Sequence, residues 1–272
     1  MTQKKLQVRG GNSGFYKDGV FHGSDANSCP RRVLLRSHGI EPPVDDVRTQ
    51  KTFNIGFLNE ELFVKHYMAH IPHCVDFAIE EPISANVDFV GHSDVVTDKL
   101  VFELKSATSK NTWEKVKKGK PKLSHLAQLS NYMLSREVTE GYLVYSLYAY
   151  VGGLELPDVF FKVTIDNDTN ILLEGKETGY KLEHVAADRQ TKAKVLEDNS
   201  VYDGRPVNPT DRQSPCFYCP FSDVCDKWDK ATKNKTTERF LDKAKEVVNA
   251  IKTEQDINRQ ERLRKATKNF GS

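Results

Sequence analysis

Cysteine is scarce in this chain, with five among 272 residues. At that density a disulfide framework is excluded as the main source of stability, which leaves metal binding or burial for the thiols. Long hydrophobic runs are missing too. The longest, around Tyr142 to Val151, is broken by Ser146, is followed by Gly152, and is too short to span a bilayer. Residues 1–9, MTQKKLQVR, contain no apolar h-region. No secretory signal or membrane partner is therefore expected, and the expected location is the cytoplasm, that of a host if the gene is viral. An excess of one charge sign is also absent. Forty Lys and Arg oppose 38 Asp and Glu for a net +2, so any nucleic-acid affinity has to come from local patches. What the chain does have is 38% hydrophobic and 10% aromatic residues, which excludes wholesale disorder. One large domain over residues 1–225 with a charged helical tail over 226–272 is expected.

Periodicity divides the chain further. Ser28-Cys29-Pro30-Arg31-Arg32 is a turn-like signal followed by apolar Val33-Leu34-Leu35. Between Phe53 and His70, Ile55, Leu58 and Leu62 have the spacing of an amphipathic helix. Runs at Val75 to Ile79, Val87 to Val96 and Leu100 to Lys105 read as strands, the last two joined by a turn at Thr97-Asp98-Lys99. A lysine-rich loop is expected over Lys110 to Lys122. A helix capped near Ser124 then runs to about Ser135, followed by strands at Gly141 to Ala149 and Val159 to Ile165. A polar helical stretch from Asn170 to about Glu197 precedes the last cysteines, and a helical tail follows them. This order predicts an α/β or α+β fold, a central mixed sheet flanked by helices.

The hairpin concentrates the chemistry. With its turn centred on Asp98, antiparallel pairing sets Asp94 roughly opposite Glu103, with side chains about 5 Å apart. Alternation puts Glu103 and Lys105 on one face, while Leu100, Phe102 and Leu104 point into the core. Two close carboxylates repel unless a cation sits between them, and hard oxygen ligands suit Mg²⁺ or Mn²⁺. Such a site supports phosphodiester hydrolysis, with the lysine positioning water or offsetting charge. A second Glu-x-Lys, Glu174-Gly175-Lys176, follows Asp166 by eight residues, but in a stretch read as helical, without the turn that would bring Asp166 back. Glu60, or its neighbour Glu61, can add a third carboxylate from the preceding helix. His125, Gln128 and Tyr132 share one helical face.

Cys216, Cys219 and Cys225 form C-x2-C-x5-C, which reads as metal ligation. A fourth ligand is needed from Cys29, Cys74 or a histidine. Cys29, in its turn, is the better choice, because Cys74 opens an apolar strand. Three clustered thiols and one remote thiol fit an iron–sulfur cubane better than paired zinc knuckles, with zinc as the alternative.

Taken together, these motifs resemble the PD-(D/E)XK nucleases of the RecB type and particularly their iron–sulfur branch, which includes the CRISPR-adaptation nuclease called Cas-four and the nuclease domain of AddB. The resemblance runs from Ser28 to Cys225. It rests on Cys29-Pro30-Arg31, the helix Gly56 to Glu60, Gly91-x-x-Asp94, Glu103-x-Lys105, Gln128-x-x-x-Tyr132 and C-x2-C-x5-C. It implies a restriction-endonuclease-like core acting as a Mg²⁺- or Mn²⁺-dependent deoxyribonuclease, an exonuclease at DNA ends. Asp94, Glu103, the Leu104 carbonyl and Glu60 would be metal ligands and Lys105 the catalytic lysine. Gln128 and Tyr132 would complete the catalytic set, and Cys29, Cys216, Cys219 and Cys225 would hold a structural 4Fe–4S cluster. Many iron–sulfur members carry histidine where Glu60 stands; glutamate there is more typical of phage recombination exonucleases.

DNA contacts are expected from the lysine loop, through Lys115, Lys117, Lys118 and Lys120, with Trp113 either stacking on a base or packed in the core. Arg31, Arg32 and Arg36 form a second candidate backbone contact. The tail, with 13 Lys and Arg against 8 Asp and Glu from Asp226 onward, is read as a surface for a second copy or a recombination partner, or as a solvated cap. The competing reading is a non-catalytic DNA-binding adaptor whose cysteines hold zinc through four thiolates.

Overall fold

A computed structural model describes residues 21–26, 28–42, 47–68, 78–86, 89–107, 110–147, 158–167, 169–203, 216, 219–231 and 233–270. Its elements in chain order are β1 (Phe21–His22), a 3₁₀ turn (Gly23–Asp25), α1 (Pro30–Ser37), α2 (Val47–His66), β2 (Ala78–Asn86), β3 (Phe89–Val96) and β4 (Val101–Ala107). They continue with α3 (Lys110–Lys117), α4 (Leu123–Ser135), β5 (Glu140–Leu147), β6 (Val159–Ile165), β7 (Asn170–Leu173) and β8 (Lys176–Lys181). Helices α5 (Leu182–Glu197), α6 (Ser222–Lys230) and α7 (Thr237–Phe270) complete the chain.

The strands form one mixed sheet in the order β1-β3-β4-β5-β6-β7-β8, with β2 also paired to β3. Most neighbours are antiparallel, but β4 and β5 run parallel from Val101↔Gly141 to Ala107↔Leu147. Parallel neighbours need a crossover, and α3 and α4 supply it. The alternation of β4 then divides the core. Val101 and Ala107 face a cluster that includes Trp113, Val116, Leu126, Leu129, Tyr132 and Met133 from α3 and α4. Phe102 and Leu104 face the opposite cluster, with Phe63 of α2. The expected central mixed sheet flanked by helices is the observed architecture.

A further cluster joins the ends of the chain. Leu34 and Leu35 of α1 pack with Val195, Phe221, Val224, Trp228, Phe240, Leu241, Ala244 and Val248. The first turns of α7 therefore belong to a core, whereas most residues from Asn249 to Lys265 are exposed.

Several expectations are corrected. The lysine-rich stretch is not wholly a loop: Lys110–Lys117 is helical because Trp113 and Val116, three apart, pack on the sheet. Asn170–Lys181 is a β-hairpin, not a helix. Leu173 pairs with Lys176 across Glu174 and Gly175, whose φ angles of 51° and 73° are those of a two-residue type I′ turn. The second Glu-x-Lys thus spans this turn, where Glu174 Oε1 accepts the Lys162 amide at 2.5 Å. Residues after Cys29 form a helix with Pro30 in its first turn. Lys122, not Ser124, precedes α4, and it gives no side-chain cap. Cys74, the start of the Val75 run, Val87 and Ala149 lie outside the described residues.

Candidate active site

The β3–β4 hairpin closes on Thr97. Its amide donates to the Leu100 carbonyl at 2.9 Å, and its Oγ1 accepts the Leu100 amide at 3.0 Å. This turn sets the pairs Val96↔Val101 and Val95↔Phe102. One further step along the same register places Asp94 against Glu103. There the ladder stops, and the Asp94 carboxylate takes its place: Oδ2 accepts the Leu104 amide at 2.6 Å. That bond fixes the carboxylate at the strand end instead of leaving it to rotate in solvent.

Glu103 is fully buried on the face covered by α4. Its Oε1 accepts from Lys105 Nζ, while its Oε2 is buried without a hydrogen-bond partner. Burial pushes the Glu103 pKa up to about 8, and the charge of Asp94 adds to the rise, while Lys105 opposes it. Burial works against the Lys105 charge, but Glu103 and Asp94 outweigh it and the lysine pKa is raised. The lysine side chain retains 21% exposure, so the charge cluster reaches solvent through it. A buried carboxylate oxygen with no donor, beside a second carboxylate, is a hard-oxygen pair of the kind that suits a divalent cation.

The expected helix residues divide in two. Gln128 is half-buried and its Nε2 donates to the Tyr132 hydroxyl at 3.1 Å. Tyr132 is buried, and its ring lies where a Cβ on Gly23 or Gly91 would stand, at 2.4 and 2.9 Å. Tyr132 thus packs α4 against β3 and the 3₁₀ turn, with its hydroxyl accepting from Gln128. Glycine at position 91 is a packing requirement of this tyrosine. On α2, Glu60 is half-buried and Glu61 exposed, three and two residues before Phe63, whose ring meets that of Phe102 at 5.5 Å.

One pair was missed from the sequence. Tyr145 stands beside Lys105 in the parallel β4–β5 register. Its hydroxyl accepts the Lys122 amide at 3.2 Å and lies 2.8 Å from His125 Nδ1, to which it can donate its own proton. Burial, with Lys105 and Lys122, pulls the His125 pKa down to about 2, so the imidazole is neutral. Burial pushes Tyr145 up to about 12. Tyr145 sits inside an apolar run, and only the crossover brings it to the lysine.

The cysteines converge as well. Cys29, Cys216, Cys219 and Cys225 line one cavity of about 50 Å³, together with Arg31, Arg32 and Phe221. Burial raises the pKa of Cys29 and Cys219, and neighbouring cysteines add to the rise. Among the described residues, no group of three or more His, Cys, Asp or Glu side chains is set in a metal-holding arrangement.

Two of the arginines expected at DNA are corrected. Arg31 is buried, with Nε donating to the Tyr202 carbonyl at 2.7 Å and Nη2 to Asp229 at 2.6 Å. Arg36 is enclosed by Asp25 and Glu41. Neither faces solvent, because both tie α1 to its surroundings. Arg32, Lys115, Lys117, Lys118 and Lys120 are all exposed. Trp113 is 3% exposed, so its ring belongs to the core and not to a base-stacking surface.

No family model and no curated protein matches this chain. Solved structures give distant likenesses. An alkaline exonuclease (LHK-Exo) from Laribacter hongkongensis is 12% identical over 66% of this chain and 89% of its own, with a TM-score of 0.49. The protein SSO0001 is 17% identical over 78% and 88%, with a TM-score of 0.44. A phage related exonuclease from Haemophilus somnus 129PT is 14% identical over 62% and 81%, with a TM-score of 0.40.

Proposed function

We propose that this chain is a Mg²⁺- or Mn²⁺-dependent deoxyribonuclease that hydrolyses phosphodiester bonds, working at DNA ends. The observation that carries this reading is the strand-end cluster of Asp94, Glu103 and Lys105, with one Glu103 oxygen buried and lacking a donor. Asp94, Glu103, the Leu104 carbonyl and Glu60 are the proposed ligands, a hard-oxygen set suited to those ions. When bound, a divalent ion supplies polarisation of the phosphate and a more acidic water. Asp94 is held in position by the Leu104 amide. Lys105, partly open to solvent, orients the attacking water or offsets charge on the phosphate. Gln128 contributes a polar amide from α4. Lys115, Lys117, Lys118 and Lys120, on and just after α3, are proposed to hold the phosphate backbone, with Arg32 as a further contact.

The four-cysteine cavity is read as the site of a 4Fe–4S cluster that ties α1 to α6 and supports the fold. Four thiols lining one cavity from opposite ends of the chain fit that group. The tail beyond the cluster that joins α1 to α7 is read as a surface for a second copy or a recombination protein.

The test is time-resolved digestion of end-labelled linear and of circular DNA, single- and double-stranded, with Mg²⁺ and with Mn²⁺. Cleavage that requires the metal and is lost in Glu103→Ala and Lys105→Ala, with DNA binding retained, is expected. Equal cleavage by these variants would remove the assignment. Degradation of linear but not circular substrate is expected for an enzyme that enters at ends.

A further inference from the structure

Arg31 is the largest fully buried side chain among the described residues, at 1% exposure. Three hydrogen bonds hold it: Nε to the Tyr202 carbonyl at 2.7 Å, Nη2 to the Asp203 carbonyl at 3.1 Å and Nη2 to Asp229 Oδ1 at 2.6 Å. Its remaining nitrogen, Nη1, is buried without an acceptor at hydrogen-bonding geometry. The same side chain lines the cavity formed by Cys29, Cys216, Cys219 and Cys225. Burial works against its charge, but Asp229 and the Cys225 thiol outweigh that cost, and its pKa is raised.

The contrast with Arg36 is informative. That arginine, five residues further along α1, is enclosed by two carboxylates away from the cysteines. Arg31 has one carboxylate and a spare donor beside four sulfurs. A buried guanidinium donor left unmade costs about 1–3 kcal/mol, more because it is charged, and the sulfurs lining the cavity, Cys225 first, are the acceptors beside it.

We propose that Arg31 is the charge-compensating hydrogen-bond donor to the anionic sulfurs of the cluster held by Cys29, Cys216, Cys219 and Cys225, and that with Asp229 it sets the cluster's reduction potential. This rests on the cluster reading above. Reduction would add a negative charge to an already anionic group. A fixed cation and a donor to sulfur ease that step, and the carboxylate of Asp229 opposes it.

The experiment uses anaerobically purified holoprotein: wild type, Arg31→Gln, Arg31→Lys and Asp229→Asn. Iron and acid-labile sulfide are quantified, and midpoint potentials are measured by redox titration followed by visible absorption and EPR. Arg31→Gln is expected to move the potential negative. Arg31→Lys, which keeps the charge and loses the planar fork, is expected to move it negative by less. Asp229→Asn is expected to move it positive. If Arg31→Gln fails to retain its cluster, Arg31→Lys and Asp229→Asn still give opposite shifts. A purely structural arginine would lower the melting temperature of all three variants with potentials unchanged, and that result, or shifts of one sign, would overturn the proposal. Wild-type protein without iron and sulfide would refute the cluster reading itself, and this inference with it, through composition instead of potential.

Discussion

Replacing Glu103 by glutamine tests the reasoning about the site without any substrate. The carboxyl is fully buried, beside Asp94, with its pKa pushed up from 4.5 to about 8. Between those values the folded protein keeps a proton that the unfolded chain has released. By linkage the folded state then loses stability as pH rises, at up to about 1.4 kcal/mol per pH unit. Integrated from about pH 5.5 to about pH 8, the wild type should lose about 3 kcal/mol relative to Glu103→Gln, whose amide does not titrate. For a chain of this size that corresponds to roughly 6–12 °C in Tm. The assay is thermal unfolding of both proteins in EDTA across that pH range, read as the difference in Tm. The absolute difference also contains the lost contact with Lys105, so the change with pH is the diagnostic quantity. Added Mn²⁺ near pH 8 should raise the wild-type Tm and leave that of the variant unchanged, since binding to the native state alone stabilises it. A Tm difference that stays flat across the range would refute the argument that Glu103 is buried and crowded by charge.

Three further outcomes are expected. Gly91→Ala places a Cβ 2.9 Å from the Tyr132 ring and should cost about 1–3 kcal/mol in urea unfolding; a neutral result would mean the ring does not rest on that strand. Tyr145→Phe removes the hydroxyl that accepts the Lys122 amide and meets His125, and should cost about 1–2 kcal/mol, with a fall in kcat and little change in DNA affinity. Phe240→Ala should cost about 3–5 kcal/mol, because that ring lies in the core joining α1 to α7, and equilibrium unfolding checks it.

How far the amino-acid pattern revealed the site depends on the range of the interactions involved. The Asp94–Glu103 hairpin could be read because one short turn sets its register, with alternation doing the rest. The burial of Glu103 could not, since it depends on α4 returning across the sheet before β5 pairs parallel to β4. The same crossover hides Tyr145 among the apolar residues of its strand. Helix α3 escaped notice because two apolar residues three apart carry its packing among many lysines. The β7–β8 hairpin escaped because its turn places a glutamate, Glu174, at positive φ, where glycine or asparagine is the usual signal. The arginines after Cys29 looked like a solvent-facing basic patch, and only the fold shows that Arg31 and Arg36 point inward.

The order in which the cavity's walls leave the ribosome has a consequence for folding. Every described strand of the sheet precedes residue 182, yet three of the four thiols lie at or beyond residue 216. A product interrupted between those points holds the described strands but only one of those four sulfurs, and it lacks Phe221, Trp228 and Phe240 to cover α1. Such a fragment would leave Leu34 and Leu35 short of the apolar partners that bury them, so α1 completes its packing only once α6 and the first turns of α7 have been made.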